Sequence, residues 1–458
     1  MRCSRRSLRA RVKGELPIRF TDEKLTAYGG LELIGRFVRA SGFLQQLREV
    51  FAIRQFDTDF GSFRVALALM GMLIVGGSRL RHLRLLAHDA LFLRFAQLHR
   101  LPDERTLSRW LASLTQAVRE RLSGLMRELA YASARGIELG RATIELDGTV
   151  LRTGLCAEGA ERGFNPHHPK DKSYYPLTAH LAQTGQLLEI WNRPGNVHDS
   201  HRALEMLRFL VDDVRRALGR IAIEVRLDGA FFQREILRFL ADSGVEYALK
   251  VPMWSWLELR RPIAECRRWT RIAPRLFALS MTLPIPKWGI SQRVVVYRKH
   301  VSGETRKNFQ LDLFTPDDGH YEYSVVATNK TLGPAALWHF MAGRGGHEKT
   351  LGELKQHLAF DTIPAEDWDA NSAWQLLVGV AHNLMRHFQL TTTAVKRTAT
   401  RKRTTQFVMK TLRTLRYELI NVPAKLARPH GRLELRVAAS REAQQCYQAT
   451  LEALDLAA

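Results

Sequence analysis

Three acidic residues carry the chemistry this sequence suggests. Asp147 closes the run ATIELD, Asp228 closes IEVRLD, and Glu348 lies in MAGRGGHEKTLGELK. The first two runs are short and apolar, so each aspartate falls at the end of a strand. The glutamate falls in a helical stretch. Such a set suits a site that holds two divalent metal ions against a phosphodiester. In-line attack on phosphorus needs an activated water, a stabilised leaving oxygen and shielding of the phosphate charge. Two ions about 4 Å apart supply all three. Carboxylate and water oxygens suit Mg2+, with Mn2+ as a substitute. Three carboxylates serve two ions when one bridges. Asp147, on the strand expected at the centre, takes that role.

The helix supports this geometry. At about 100° per residue, Arg344, Glu348 and Lys355 lie within roughly 40° of one another around the axis. One face then presents a carboxylate flanked by two cations that can hold phosphates. The glycines at 343, 345 and 346 are expected to kink or break the helix before Glu348. A distorted first turn would move Arg344 off the face and leave Glu348 and Lys355 on it.

The rest of the chain is basic. Among 458 residues, 69 Lys and Arg face 46 Asp and Glu, a net charge of +23. That excess predicts binding to polyanions through phosphate neutralisation. The length allows about three domains. Hydrophobic residues make up 45% and supply a sizeable core, which weighs against a ribosomal protein. The apolar run 65–77 is shorter than the roughly 20 residues of a bilayer-spanning helix and reads as a buried helix. No membrane partner is expected. The N-terminal MRCSRRSLRARVKGELP is basic without an apolar segment, so it reads as an arm that can touch DNA and not as a signal peptide. Cys3, Cys156, Cys266 and Cys446 form no CxxC pair, which argues against a disulfide framework and fits a reducing, cytoplasmic setting.

Residues 20–135 read as helical, with Leu80 and Leu83 among the apolar positions. Within them LPDERTLSRWLASL starts a helix at Pro102 and Asp103. Leu107, Leu111 and Leu114 form its apolar face, and Arg105 and Arg109 fall one turn apart on another. The pattern fits a recognition helix in a major groove and equally an ordinary surface helix. From 142 strands enter: ATIELDGTV, then YPLTAHLAQT and QLLEIWNRP about a turn at Thr184 and Gly185. A helix follows, capped by Ser200, with Leu204, Leu207, Val211, Val214 and Leu218 buried and Gly219 at its end. IAIEVRLDG, a helix closed by Gly244, and VEYALKVP complete a β-β-β-α-β-α-β order, an α/β fold. SQRVVVYRKH, KNFQLDLFTP and YEYSVVATN read mostly as a β-rich insertion, and the last also fits the main sheet. The Glu348 helix comes at 333–359, with the apolar NSAWQLLVGVAHNLMRHFQL packed behind it. Between Lys396 and Arg416 basic residues mix with Thr and no acid appears, as in a DNA-bound or solvated segment. No metal-site spacing joins His167, His168, His198 and His201, so no zinc cluster is expected. His347 either tunes the site or points away from it.

The strand order resembles the RNase H-like fold of DDE transposases and retroviral integrases, in which the first and fourth strands are neighbours in a mixed sheet. That would bring Asp147 and Asp228 together. The Glu348 helix resembles the signature Y-x-x-R-x-x-x-E-x-x-x-x-x-x-K of a large group of bacterial insertion-sequence transposases. Arg344, Glu348 and Lys355 fit its spacing. Met341 stands at the Tyr position, so the signature's hydroxyl has no counterpart in register. RGGHEKTLGELKQHLAFD, GFNPHHPKDKSYYPLTAHLA and WNRPGNVH resemble segments of one branch of that group, and the resemblance spans about residues 20–440.

The resemblance implies an RNase H-like mixed sheet with flanking helices, interrupted by a β-rich insertion and preceded by an all-helical DNA-binding region. The divisions fall at 1–135, 136–252, 253–325, 326–394 and 395–458. It implies a catalytic, metal-ligating triad of Asp147, Asp228 and Glu348 with two Mg2+ ions. The reaction would be cleavage and strand transfer of double-stranded DNA, joining transposon ends to a target. At least a homodimer would form on DNA, in a nucleoid-associated cytoplasmic setting. In relatives with the insertion, tryptophans there stabilise a flipped base, which makes Trp254, Trp256 and Trp288 candidates; burial is the competing fate. Two other readings stand beside this one: a transposase-derived DNA-binding protein that no longer cuts, and an RNase H-like nuclease without strand transfer.

Overall fold

The computed structural model describes residues 18–53, 59–154, 156–163, 170–300, 321–396 and 407–457. The N-terminal arm to residue 17, His167, His168, the run KNFQLDLFTP and residues 397–406 of the basic stretch lie outside them.

Nine strands form the main sheet: β1 (Arg141–Gly148), β2 (Leu177–Leu181), β3 (Gln186–Trp191), β4 (Ala222–Leu227), β5 (Glu246–Val251), β6 (Thr270–Ala273), β7 (Leu276–Ile285), β8 (Ile290–His300) and β9 (Tyr321–Thr328). Their order is β3-β2-β1-β4-β5-β9-β8-β7-β6. The β1–β4 and β4–β5 pairs are parallel. The other neighbours are antiparallel. The first and fourth strands are thus adjacent, and the polar ends of both fall at one edge.

Local sequence explains the connections. Gly185 takes φ of 65° in the β2–β3 turn, and its N–H donates to Leu181 O at 2.8 Å. Seven helices matter next: α1 (Leu31–Ala40), α2 (Phe43–Phe51), α3 (Ser62–Val75), α4 (Ala90–Ala96), α5 (Glu104–Ala112), α6 (Gln116–Gly136) and the crossover α7 (Ala203–Leu218). Leu80–Leu86 forms a 3-10 turn that buries Leu80 and Leu83. The cap expected at Ser200 is not made. Helix α7 begins at Ala203 after Arg202 at φ 62°, and the Ser200 hydroxyl is engaged by His198 Nδ1 and Gln233 instead. The α7 buried face also turns slightly: Met206 and Leu210 join Leu207, Val211 and Val214, while Leu204 and Leu218 stay half-buried. Gly219, at φ 68°, ends the helix as expected. A second crossover, α8 (Arg234–Asp242), leads to β5.

The runs SQRVVVYRKH and YEYSVVATN extend the main sheet through Val325 opposite Val251 and Val295 opposite Val326. Val294 and Val296 pack into one core cluster, and Val295 and Tyr297 into another. A run apolar on both faces is that of an interior strand covered on both sides.

Helix α5 is capped by Asp103, whose carboxylate accepts from Thr106 N at 2.7 Å. Leu107, Trp110, Leu111 and Leu114 are buried, and Arg105 and Arg109 are exposed. Helix α3 is apolar all round and almost wholly buried. It shares one core with α6 and with two later helices: α10 (Gly345–Leu358), which follows α9 (Pro334–Ala342), and α11 (Trp368–Thr392), on which α10 packs. Leu354 and Leu358 of α10 and Trp374 and Leu377 of α11 belong to that core together with Leu69, Leu73 and Met126. The N-terminal helices therefore have no core apart from the helices that carry Glu348. Among the described residues no single helix is long and apolar enough to cross a membrane.

Strand β3 is a sheet edge, and α11 covers it. Asn383, fully buried, accepts from Leu187 N at 2.8 Å and donates to Leu187 O and Met126 O at 2.7 Å each. One side chain thus satisfies edge-strand and helix backbone groups that water cannot reach. Asn383→Leu is expected to lower unfolding stability by roughly 2–4 kcal/mol, because it strands buried donors and acceptors. Urea denaturation checks this; a loss below about 1 kcal/mol would show that the edge is satisfied otherwise.

Candidate metal and phosphodiester site

Strand alternation sorts the site. Ala142, Ile144 and Leu146 of β1 face one core, and Thr143, Glu145 and Asp147 face the opposite side. On β4 the matching polar residues are Glu224 and Arg226, with Asp228 just past the strand. The parallel register sets Thr143 opposite Glu224 and Glu145 opposite Arg226. Three polar rungs result. Thr143 bonds Glu224, Glu145 pairs with Arg226, and Asp147 and Asp228 end the ladder. The Glu145 and Arg226 side chains are 1% and 2% exposed, so each charge depends on the other. Strand β2 adds His180 opposite Glu145 and Thr178 opposite Asp147.

Helix α10 lies over this face and completes the group. The chain breaks between α9 and α10 at Gly343, as the glycines suggest. A Cβ at Gly343 would meet Arg226 Nη1 at 2.2 Å, so only glycine lets the helix approach the Glu145–Arg226 pair. Arg344 stays helical at the N-cap, with φ −56° and ψ −29°. Its guanidinium lies 3.3 Å from Asp147 Oδ2, 3.0 Å from Asp228 Oδ2 and 3.9 Å from Glu348 Oε1. Two strands and a helix thus deliver three carboxylates to one cation. Burial deepens from Glu348, 68% exposed, through Asp228 at 39% to Asp147 at 21%. Burial pushes the Asp147 carboxyl up to about 7; Arg344 opposes the shift, and Asp199, Asp228 and Glu348 add to it.

His347 points into the sheet. It is fully buried, its Nε2 lies 3.1 Å from Thr178 Oγ1, and its ring centroid is 3.9 Å from that of His180. Thr178 Oγ1 in turn donates to Asp147 O at 3.0 Å. Burial, with Arg344 and Arg226 nearby, holds the His347 imidazole down at about 3, so it is neutral at ordinary pH. Lys355, read in the sequence as a free phosphate contact, donates to Val150 O at 2.9 Å and is half-buried. Burial lowers its pKa. Trp288 is half-buried in an aromatic cluster, with ring centroids 4.9 Å from Phe232 and 5.5 Å from Trp256. Trp254 stacks on Trp256 and is 41% exposed. Arg105 and Arg109 are not part of this group; they stand exposed on α5. His198 and His201 are exposed and join no metal-like cluster among the described residues.

Two donor sets can be weighed for a metal. Asp147, Asp228 and Glu348 offer oxygens only, and a cationic group already lies among them, which fits a hard divalent ion. Glu145, His180 and His347 also bring ligand atoms within 4.8 Å of one another. That second set is wholly buried, its carboxylate is paired with Arg226, and Arg344 stands beside it. Two guanidinium groups oppose a further double charge there, so the set is better read as the support that seats α10.

Sequence reading missed Glu145, Arg226, Asp199 and Tyr175. The first pair had a signal: IELD and VRLD carry opposite charges at the same offset from their aspartates, and parallel neighbours bring such positions face to face. Asp199 accepts from the Tyr175 hydroxyl close to Gly148, where a Cβ would meet Asp199 Oδ1 at 2.4 Å. It lies in a loop, and nothing in the local pattern marks it. Arg226→Met is expected to cost about 3–5 kcal/mol by leaving Glu145 unpaired, and Glu145→Met with Arg226→Met together should recover most of that. Denaturation of the two single variants and the double variant tests it; additive losses would disprove the coupling.

A family model described as transposase DDE domain, group 1, matches residues 9–458. No curated protein matches. Among solved structures, the chain is similar to one in a piggyBac transposase synaptic complex with hairpin DNA. The two are 12% identical with a TM-score of 0.38, over 87% of this chain and 82% of that one. The family match spans nearly the whole chain, and the chain belongs to the group 1 family of DDE-domain transposases.

Proposed function

We propose that the protein cuts DNA at transposon ends and joins them to target DNA, with Asp147, Asp228 and Glu348 holding two divalent ions in an RNase H-like core. The carrying observation is the convergence of three carboxylates from β1, β4 and α10 on Arg344. The strand order β3-β2-β1-β4-β5, with β1, β4 and β5 parallel and β2 and β3 antiparallel, supports the RNase H-like reading. Oxygen-only donors suit Mg2+ and Mn2+. When bound, such ions activate water and stabilise the leaving oxygen.

The residues divide the work by depth. Asp147, innermost and central, would hold the ions from the sheet side. Asp228 Oδ1 accepts from Gly229 N at 2.6 Å, which fixes the carboxylate and leaves Oδ2 for the site. Glu348 closes the site from its exposed rim. Arg344 pairs with the same carboxylates that would hold the ions and places a fixed positive charge beside them for phosphate. The Lys355 bond to Val150 holds the loop after Asp147 and keeps a positive charge at the rim. His347 and Thr178 set the height of α10 above β1.

DNA of both element and target is the partner, bound by a homodimer or larger assembly, in a nucleoid-associated cytoplasmic setting. The N-terminal region 1–135 reads the ends, with Arg105 and Arg109 facing DNA. Segments 136–252 and 326–394 carry the carboxylates. Turns within 253–325 present Trp288 and Trp254 for base stacking, and the basic region from 395 neutralises phosphate.

Asp147→Ala, Asp228→Ala and Glu348→Ala should each abolish Mg2+-dependent cleavage while leaving DNA binding near wild type, since affinity comes chiefly from basic residues. Labelled element ends test this, and full cleavage by any one variant removes that residue from the site. Binding in EDTA should fall steeply with salt; a flat titration contradicts a phosphate-dominated interface.

Because α5 shares its core with α11, the role of the N-terminal region is best tested in the full chain. Arg109→Ala should reduce the preference for end DNA over random DNA by about 1–3 kcal/mol if it reads a base, or weaken both equally if it holds a phosphate. Unchanged binding to both would remove Arg109 from the DNA interface.

A further inference from the structure

The loop between β3 and α7 brings a fourth carboxylate to the strand end that carries Asp147. Gly148 follows Asp147 directly, and a Cβ there would meet Asp199 Oδ1 at 2.4 Å and Tyr175 Cζ at 2.7 Å. Position 148 has no side chain because those two groups occupy its space. Asp199 therefore packs against the backbone beside Asp147. It repels the Asp147 charge more than Asp228 or Glu348 does. Helix α7 packs on the face of β1 that carries Ile144 and Leu146, and α10 lies over the opposite, polar face. Each face of the sheet thus sends a carboxylate to one strand end: Glu348 from α10, and Asp199 from the approach to α7.

The loop is held by Arg193, 2% exposed. Its Nε donates to Tyr175 O at 2.8 Å, and its Nη1 donates to Asp199 O at 2.9 Å and to His201 O at 2.7 Å. Tyr175 N returns a bond to Arg193 O at 2.8 Å. One guanidinium thus joins the entry of β2 to the residues before α7. The Tyr175 hydroxyl donates to Asp199 Oδ1 and fixes that side chain. Asp199 Oδ2 takes no hydrogen bond, and Asp199 forms no ion pair, among the described residues. The other three carboxylates share Arg344. A carboxylate fixed beside its like, with no paired cation of its own, is held against repulsion. A structural acceptor for Tyr175 would not need that charge.

We propose that Asp199 is a fourth carboxylate of the metal site, an outer one that accepts hydrogen bonds from hydration water of the ions, with Tyr175 as its positioning residue. The inference rests on the transposase reading and adds a residue to that site. Mg2+ dehydrates reluctantly and keeps several waters in a protein site. Groups just outside the ligands orient such water, and losing one typically costs about 10–100-fold in metal affinity. Oδ2 is the free acceptor for this task, and the Tyr175 bond to Oδ1 sets its direction.

The test titrates Mn2+ into the full chain without DNA and reads free Mn2+ by electron paramagnetic resonance. Asp199→Asn keeps an oxygen acceptor for Tyr175 and loses only the charge. It should bind Mn2+ about tenfold more weakly than wild type. In EDTA it should melt at or above the wild-type temperature, since a repelling charge is gone. Asp199→Glu should recover part of the affinity, and Tyr175→Phe should weaken it by a smaller factor. Wild-type Mn2+ affinity in Asp199→Asn overturns the proposal. So does a lowered melting temperature with no partial recovery in Asp199→Glu, which would mark a purely structural residue. Asp147→Ala separates the two readings. If it binds Mn2+ as tightly as wild type, the metal site itself is misplaced. If it loses Mn2+ while Asp199→Asn does not, only the role of Asp199 falls.

Discussion

The organising constraint is electrostatic. Asp147, Asp228 and Glu348 cannot be gathered at the edge of a sheet without a positive partner, and Arg344 provides one in contact with all three. One rung deeper the same problem recurs without solvent. Glu145 is nearly inaccessible, and Arg226 from the parallel neighbour supplies the compensating charge. An unpaired charge there would cost several kcal/mol, more than most single contacts contribute. The polar ladder between β1 and β4 therefore fixes strand register, and strand register fixes the separation of Asp147 and Asp228.

A ladder of this kind is useful only if the helix above it cannot drift. Each end of α10 is tied separately. His347 reaches Thr178 near the start of the helix. Glu353, midway along, pairs with Arg386 of α11 and accepts from Leu412 N. At the end, half-buried Arg416 donates to His357 O and also to Leu73 O and Ile74 O, joining the last carbonyls of α10 to those of α3. Leu354 and Leu358 seal the underside in the core shared with the N-terminal helices. Sequence-distant segments thus act on one quantity, the position of Glu348 and Arg344 relative to β1.

Much of this was legible because the decisive signals are local. Strand-end aspartates, a helix with R-x-x-x-E-x-x-x-x-x-x-K spacing and glycines before it can be read without knowing the fold. The break at Gly343 and the turn at Gly185 follow from backbone chemistry alone. What stayed hidden depends on tertiary placement. Ser200 looks like a helix cap, yet Arg202 adopts a left-handed conformation that starts α7 later and frees Ser200 for His198 and Gln233. SQRVVVYRKH read as part of a β-rich insertion, although its apolar residues on both faces befit an interior strand of the main sheet. Lys355 read as a cation beside Glu348 that can hold phosphate, and its bond to Val150 appears only once β1 lies beside α10. Asp199 enters from a loop whose path the sequence does not specify.

The circumference of α10 shows how few residues such a site needs. His347, Thr350, Leu351, Leu354 and Leu358 occupy the buried arc and seat the helix. Arg344, Glu348 and Lys355 occupy the next arc and face the ends of β1 and β4. Gly345, Lys349 and Gly352 occupy the open arc. A helix with bulky residues on the open arc would pack or solvate as well, and would be more stable as a helix. The buried arc sets the height of the helix above the sheet, and the charged arc sets the chemistry it presents to β1 and β4.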